Sequence, residues 1–257
     1  MYQVSLRFYQ ELNDFLKPEL RKKEFNYKFK NQRSVKDLIE SFGIPHVEVD
    51  LILVNGKSVD FDYIVKNNDR ISVYPMFERF DITGLTRVRP KPLRNPGFVL
   101  DVHLGKLGRK LRMLGFNADY KKFRNDDMLA EISEKKGRVL LTRDRQLLMR
   151  KNITHGLYVR STDPDEQVKE VVERLDLYRL IKPFSRCMAC NGDLQPLKYG
   201  SNEFEKLKKR IPPGVREWCR EYYRCNSCGK IFWKGSHFQK MDRFIEELSR
   251  APKGHRS

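Results

Sequence analysis

No apolar run reaches the about eighteen residues that a membrane-spanning helix needs, so the sequence predicts no transmembrane span. The first residues, Met1 to Leu6, alternate like a strand and lack the apolar core of a signal peptide. Cysteine is scarce as well. There are 5, and four of them fall in two C-x-x-C pairs, which points to metal binding in a reducing compartment rather than to disulfides. Together these readings predict a cytoplasmic protein. Acidic charge is in short supply: 34 aspartates and glutamates face 52 lysines and arginines, a formal net charge of +18. A surplus of that size favours a polyanionic partner, most often nucleic acid. The bland alternative is a soluble protein that is merely basic. At 257 residues the chain has room for one large domain or two to three small ones.

What is present begins with a small α+β pattern over about residues 1–77. Val4, Leu6 and Phe8 alternate, Phe25, Tyr27 and Phe29 alternate again, and together they predict a first hairpin. Ser34 to Gly43 then has an N-cap, helical apolar spacing and a terminal glycine. Leu51 to Val54, the Asn55-Gly56 turn and Ile71 to Tyr74 supply further strands. That order predicts a ubiquitin-like β-grasp domain. The stretch also resembles the sulfur-carrier and molybdopterin-synthase small-subunit group, through Val54-Asn-Gly, Val59-Asp and Asn68 to Pro75. Those carriers end in a flexible Gly-Gly tail, whereas this chain continues through Phe77 to Asp81, so carrier chemistry is not expected. The expectation is a module that docks a protein partner or the ribosome or positions RNA, with a stabilising appendage as the alternative.

Residues 78–96 are rich in proline and basic charge without periodicity and read as a linker. The central domain, expected over 97–182, carries two short apolar runs, each followed by an aspartate: Phe98 to Leu100 before Asp101, and Val139 to Leu141 before Asp144. Such runs read as buried strands of an α/β sheet, and carboxylates past the ends of parallel strands lie at the edge where these folds place their chemistry. Leu107, Leu111 and Leu114 share a helical face, with Lys106, Arg109, Lys110 and Arg112 on the others. Asp126 and Asp127 stand near the start of another helix, and Asp163 near the start of the last. Acids converging in a basic protein suggest a magnesium or manganese site facing a phosphate backbone. Helix capping explains Asp126 and Asp163 equally well, and a turn carboxylate paired to Arg143 or Arg145 explains Asp144. Arg109, Arg112, Arg143 and Lys106 are candidate RNA contacts, with a solvated face as the alternative. Thr142 suits either a hydrogen bond at the site or simple strand packing. His103 is expected to be a packing or surface residue before a proton shuttle.

Residues 183–241 hold Cys187, Cys190, Cys225 and Cys228, two pairs separated by 34 residues. Four thiolates so arranged suit a closed tetrahedral zinc site of structural kind. Between the pairs, Lys206 to Arg210 is a basic bulge available to RNA, and Cys219 reads as a small buried hydrophobe. Phe232 and Trp233 suit base stacking or packing equally, and no role is set on His237. Residues 242–257 form a tail whose end is expected to be disordered.

Phe98 to Asp101, Leu104 to Gly115, Asp126 with Leu129, Gly137 to Asp144 and Pro164 with Gln167 resemble, in that order, the Mut-seven C-terminal ribonuclease family. The resemblance covers nearly the whole chain to about Met241. It implies a PIN-like parallel-sheet nuclease domain, a zinc ribbon after it and, as in some members, an N-terminal ubiquitin-like domain. It further implies three or four acids jointly holding the catalytic metal: Asp101, Asp126 and Asp144, with Asp163 as a fourth and Asp127 and Asp165 in reserve. The expected activity is metal-dependent hydrolysis of structured cellular RNA. Two alternatives stand beside it. One is a non-catalytic RNA- or ribosome-binding protein on a degenerate nuclease fold, and the other is a toxin-like nuclease controlled by a partner.

Overall fold

The computed structural model describes residues 1–75, 84, 86–88, 96–235 and 242–248. Most of the linker expected over 78–96, the end of the cysteine module with His237, and most of the tail lie outside the described residues.

The N-terminal segment builds a five-stranded sheet of order β2-β1-β5-β3-β4. Its strands are β1 (Tyr2–Phe8), β2 (Phe25–Phe29), β3 (Val49–Val54), β4 (Lys57–Ser58) and β5 (Arg70–Pro75). β1 pairs antiparallel with β2 and parallel with β5, the arrangement of a β-grasp sheet. Alternation works as the sequence predicts: Val4, Leu6 and Phe8 are buried on one face. Over that face lies α1 (Val35–Glu40), capped by Ser34, whose Oγ accepts from the Asp37 N–H at 3.1 Å. Its buried Val35, Leu38 and Ile39 complete the core with Ile52, Ile71 and Val73.

A second sheet, of order β7-β6-β8-β9, contains β6 (Phe98–Leu100), β7 (Ala118–Tyr120), β8 (Val139–Thr142) and β9 (Gly156–Tyr158). The β6–β8 and β8–β9 pairs are parallel. β6 and β8 are buried along their whole length, which is why both read as unbroken apolar runs. The helices are α2 (Gly105–Met113), α3 (Asp126–Lys136), the short α4 (Arg145–Leu148) and α5 (Pro164–Arg174). The third sheet, β10 (Leu194–Lys198), β11 (Glu221–Cys225) and β12 (Ile231–Trp233), is antiparallel in that order. Between β10 and β11 stand α6 (Asn202–Leu207) and α7 (Pro213–Trp218).

The chain divides into two compact units, one of residues 1–104, 121–160 and 174–176, the other of 105–120, 161–173 and 177 onward. Inside the first, the β-grasp segment is joined to β9 and the loop before it. Glu48, fully buried, accepts from the Tyr158 N–H at 2.6 Å and pairs with Arg174 at 2.5 Å and Arg160 at 3.8 Å. His46 donates from Nε2 to the Ile153 carbonyl at 2.9 Å and meets Glu40 through Nδ1 at 2.7 Å. Val47 packs among Val99, Leu129, Leu140 and Leu148.

Candidate active site and metal centre

Parallel pairing of Leu100 with Leu141 brings the carboxyl ends of β6 and β8 level. Asp101, the next residue after β6, donates its N–H to the Leu141 carbonyl at 3.1 Å. That register sets its side chain beside Thr142, whose hydroxyl donates to Asp101 Oδ2 at 2.8 Å. The same hydroxyl oxygen accepts from the Asp144 N–H at 3.0 Å. A three-residue relay therefore runs across the strand ends, with Thr142 wholly buried and Asp101 8% exposed. Among the described residues no lysine or arginine pairs with Asp101. A buried carboxylate with one neutral donor is costly unless a cation approaches it, which is the condition a metal ligand meets.

Asp144 caps α4, its Oδ1 accepting from the Gln146 and Leu147 N–H groups at 2.7 and 3.2 Å. The ion pair to Arg143 or Arg145 considered for it is not how it is held. Arg145 lies over the Phe15 and Tyr158 rings, and Arg143 donates to the Arg160 and Val159 carbonyls at 2.7 and 3.4 Å. Arg143 is half-buried by these bonds.

Asp126 opens α3 but does not cap it; Asn125 does, accepting from the Met128 N–H at 3.0 Å. Arg150, which sequence reasoning missed, pairs with Asp127 at 2.5 Å and reaches Asp126 at 3.9 Å. The hydrogen bond to Asp127, with the charges of Asp127, Asp126 and Asp144, pushes the Arg150 pKa up. A salt-bridge partner inside an apolar-basic run such as Leu147 to Arg150 leaves no spacing signal. Among the described residues, only the four cysteines form a group of three or more His, Cys, Asp or Glu side chains with ligand atoms within 4.8 Å of one another. Asp101, Asp126 and Asp144 are not gathered that tightly.

Within the second unit, Asp163 caps α5. Its Oδ1 accepts from the Asp165 and Glu166 N–H groups at 2.9 and 3.0 Å. The Glu166 N–H, with that of Asp165 and the charges of Lys110 and Lys169, holds this carboxyl below its usual range. Lys106 and Arg109 stand exposed on α2, while Lys110 pairs with Asp165 at 2.5 Å; His103, in the first unit, is exposed as well. Arg112 departs from its expected role as an RNA contact. It is buried, donating from Nε to the Ala118 carbonyl at 2.8 Å and from Nη1 and Nη2 to those of Ala189, Met188 and Tyr120 at 3.2 to 3.4 Å. A guanidinium enclosed by main-chain carbonyls fastens β7 to the first cysteine turn and offers nothing to a phosphate.

That turn and its partner make the candidate metal centre. The Sγ atoms of Cys187 and Cys228 lie 3.7 Å apart, and those of Cys190 and Cys225 3.4 Å apart. Zinc–sulfur bonds of about 2.3 Å place tetrahedral sulfurs about 3.8 Å from one another, so the four cysteines fit zinc. Each pair folds back on itself: Asn191 N–H donates to the Cys187 carbonyl, and Gly229 N–H to that of Cys225. Burial pushes the Cys187 thiol up to about 12. Burial also opposes ionisation of Cys225, but the Cys228 and Ser227 N–H groups outweigh it and hold that thiol at about 7. Gly192 is required here, since a Cβ would come within 2.3 Å of Ser227 Oγ and 3.1 Å of Cys225 Sγ. Asn191, another residue the sequence did not single out, ties the turn to β7 by accepting from the Ala118 N–H at 3.0 Å. Cys219 is buried among Leu197, Phe204 and Tyr222, as a small hydrophobe. Phe232 and Trp233 are half-buried against the two ribbon clusters.

No helix of the described residues is long and apolar enough to cross a membrane. Residues 96–245 match the Mut7-C RNAse domain family, and residues 1–81 match the Mut7-C ubiquitin family. No curated protein and no solved structure matches the chain.

Proposed function

Since this chain belongs to the Mut7-C RNAse domain family, we propose that it is a metal-dependent ribonuclease that hydrolyses phosphodiester bonds in structured RNA. The relay from the Asp144 N–H through Thr142 to the Asp101 carboxylate, at the carboxyl edge of β6 and β8, is the observation that carries this reading. Asp101, Asp126 and Asp144 are the residues assigned to hold magnesium or manganese, which prefer oxygen ligands. Bound there, such an ion supplies Lewis-acid charge to the phosphodiester and a readily deprotonated water.

The chain's own groups do the rest. Thr142 fixes the rotamer of Asp101, and capping of α4 fixes that of Asp144. Arg150 balances the acids of α3 at the outer side. Lys106 and Arg109, exposed and unspent on internal ion pairs among the described residues, are assigned to RNA phosphates, where each works as a positioning charge. Asp163 is the weakest candidate for a fourth acid, because its Oδ1 already holds the start of α5.

The test is cleavage of labelled structured RNA with manganese by the wild type and by Asp101→Asn and Asp144→Asn. Each variant should lose about a hundredfold or more, the usual effect of deleting one preorganised electrostatic group. Equal cleavage by both would remove the assignment. RNA binding that weakens with salt, without cleavage in any divalent ion, would favour the non-catalytic alternative instead.

A further inference from the structure

The 34 residues between the cysteine pairs are not a loose bulge. Phe204 of α6, Val215 of α7 and Ile211 between them pack onto Leu197, Cys219 and Tyr222, so these helices share a core with β10 and β11. The outer side of this insertion carries two exposed aromatic rings. Trp218 is 57% exposed at the end of α7, and Tyr199 is 43% exposed after β10. After Trp218 the chain turns extended at Cys219 (φ −85°, ψ 139°). Cys219 is buried while Trp218 and Arg220 on either side of it are exposed, the tip of the Trp218 ring lying beside Gly235. Arg220 lays its guanidinium over the Tyr199 ring, 4.6 Å from the centroid. Tyr199 in turn lies near-parallel to Tyr222 at 6.4 Å and against Phe204 at 4.8 Å, which fixes its plane.

We propose that Trp218, Arg220 and Tyr199 form a stacking platform for the bases of single-stranded RNA. An exposed indole and a guanidinium plane held over Tyr199 by the Arg216 and Cys219 carbonyls are what unpaired bases stack on, whereas the bases of a duplex are already stacked. The charge around the platform matches a polyanion. Glu203, Glu205 and Glu221 are occupied by Arg224, Lys208 and Lys234, and against the exposed Glu217 stand Lys206, Lys209 and Arg210, exposed without ion pairs among the described residues. The platform depends on the ribonuclease reading only for the identity of the polymer, and it gives the ribbon the task of gripping unpaired segments flanking the cleaved structure.

The experiment uses the full zinc-loaded chain in the Asp101→Asn background, with no magnesium or manganese added, and an oligouridylate of about 12 nucleotides as probe. The chain has 2 tryptophans, so a Trp233→Phe change leaves Trp218 as the only indole. Its fluorescence should be quenched by the oligouridylate and much less by a blunt RNA duplex. Trp218→Ala and Arg220→Ala should each weaken binding about 10- to 100-fold, the range for one lost stacked base. Arg220→Lys, which keeps the charge and loses the plane, should not restore it. Lys209→Ala should lower the salt slope by about one, while Trp218→Ala leaves the slope unchanged. The proposal is overturned if quenching is absent, if Trp218→Ala binds as tightly as the parent, or if polyglutamate quenches as well as RNA, which would mark a surface for an acidic protein. Failure of the wild type to cleave RNA in manganese, with quenching intact, would count against the hydrolase reading alone.

Discussion

The hydroxyl of Thr142 is the smallest group on which the candidate active edge depends. It donates to one carboxylate and accepts from the main chain that carries the other, in a position with no access to solvent. Thr142→Val keeps shape and strand preference but strands Asp101 Oδ2 and the Asp144 N–H without their partner. A buried hydrogen bond to a charged group is worth roughly 1.5–3 kcal/mol, and urea unfolding should show a loss of that order. RNA cleavage should fall with it, and Thr142→Ser should restore both; a Thr142→Val protein as stable and active as the parent would show that the relay holds nothing. Asp101 and Asp144 were legible in the sequence because strand ends are marked by where an apolar run meets a carboxylate. Arg112 was misread because burial of a guanidinium by carbonyls from Ala118 to Ala189 leaves no trace in a helical wheel that shows only a cation off the leucine face. Arg150 was overlooked for the related reason that its acids come from another helix.

At the scale of elements, periodicity predicted what periodicity can carry. β6 and β8 are continuous apolar runs, α2 has amphipathic spacing, and all three form where expected. α4 escaped, because its four residues are too few to show a helical repeat and its start is set by the Asp144 cap. The ribbon is legible for a different reason, since thiolate spacing identifies it without any core. Near the knuckles, among the described residues, the buried cluster is small: Leu194 with Cys187 and Cys225, and Phe184, Tyr223 and Phe232 half-buried against it. Zinc held by the four thiolates would add to the local stability, and structural zinc contributes about 10–16 kcal/mol in small zinc-finger peptides. One zinc per chain is expected by mass spectrometry under native conditions, and none in Cys225→Ser. Chelation should remove amide protection from β10, β11 and β12 while leaving that of β1, β3 and β5 in place. Protection of the ribbon unchanged in chelator would mean that the insertion core of Phe204, Ile211 and Tyr222 holds it unaided.

For the whole molecule the question is whether the ubiquitin-like segment is a detachable docking module or part of the nuclease framework. The sequence allowed both readings, because a linker between two domains is visible and a buried ion pair across them is not. The surroundings of Glu48 support integration. Its carboxylate has no exposure, and it is satisfied by the Tyr158 N–H and by Arg174 and Arg160, which lie beyond the linker. Tyr158 is paired with Thr142 in the β8–β9 register, so the contact braces the strand that supports the candidate site. Removing one partner of a buried pair leaves an uncompensated charge and costs about 3–5 kcal/mol, whereas exposed pairs are worth about 0–1 kcal/mol. Glu48→Gln should therefore destabilise the N-terminal and nuclease strands together, in a single cooperative unfolding transition. Glu24→Gln, which loosens the exposed pair with Arg70 inside the β-grasp sheet alone, should barely move that transition. Hydrogen exchange in the Glu48→Gln protein should rise in β9 as well as in β3. A rise confined to residues 1–75 would mean that the ubiquitin-like segment opens independently, and the docking-module reading would then be the better one.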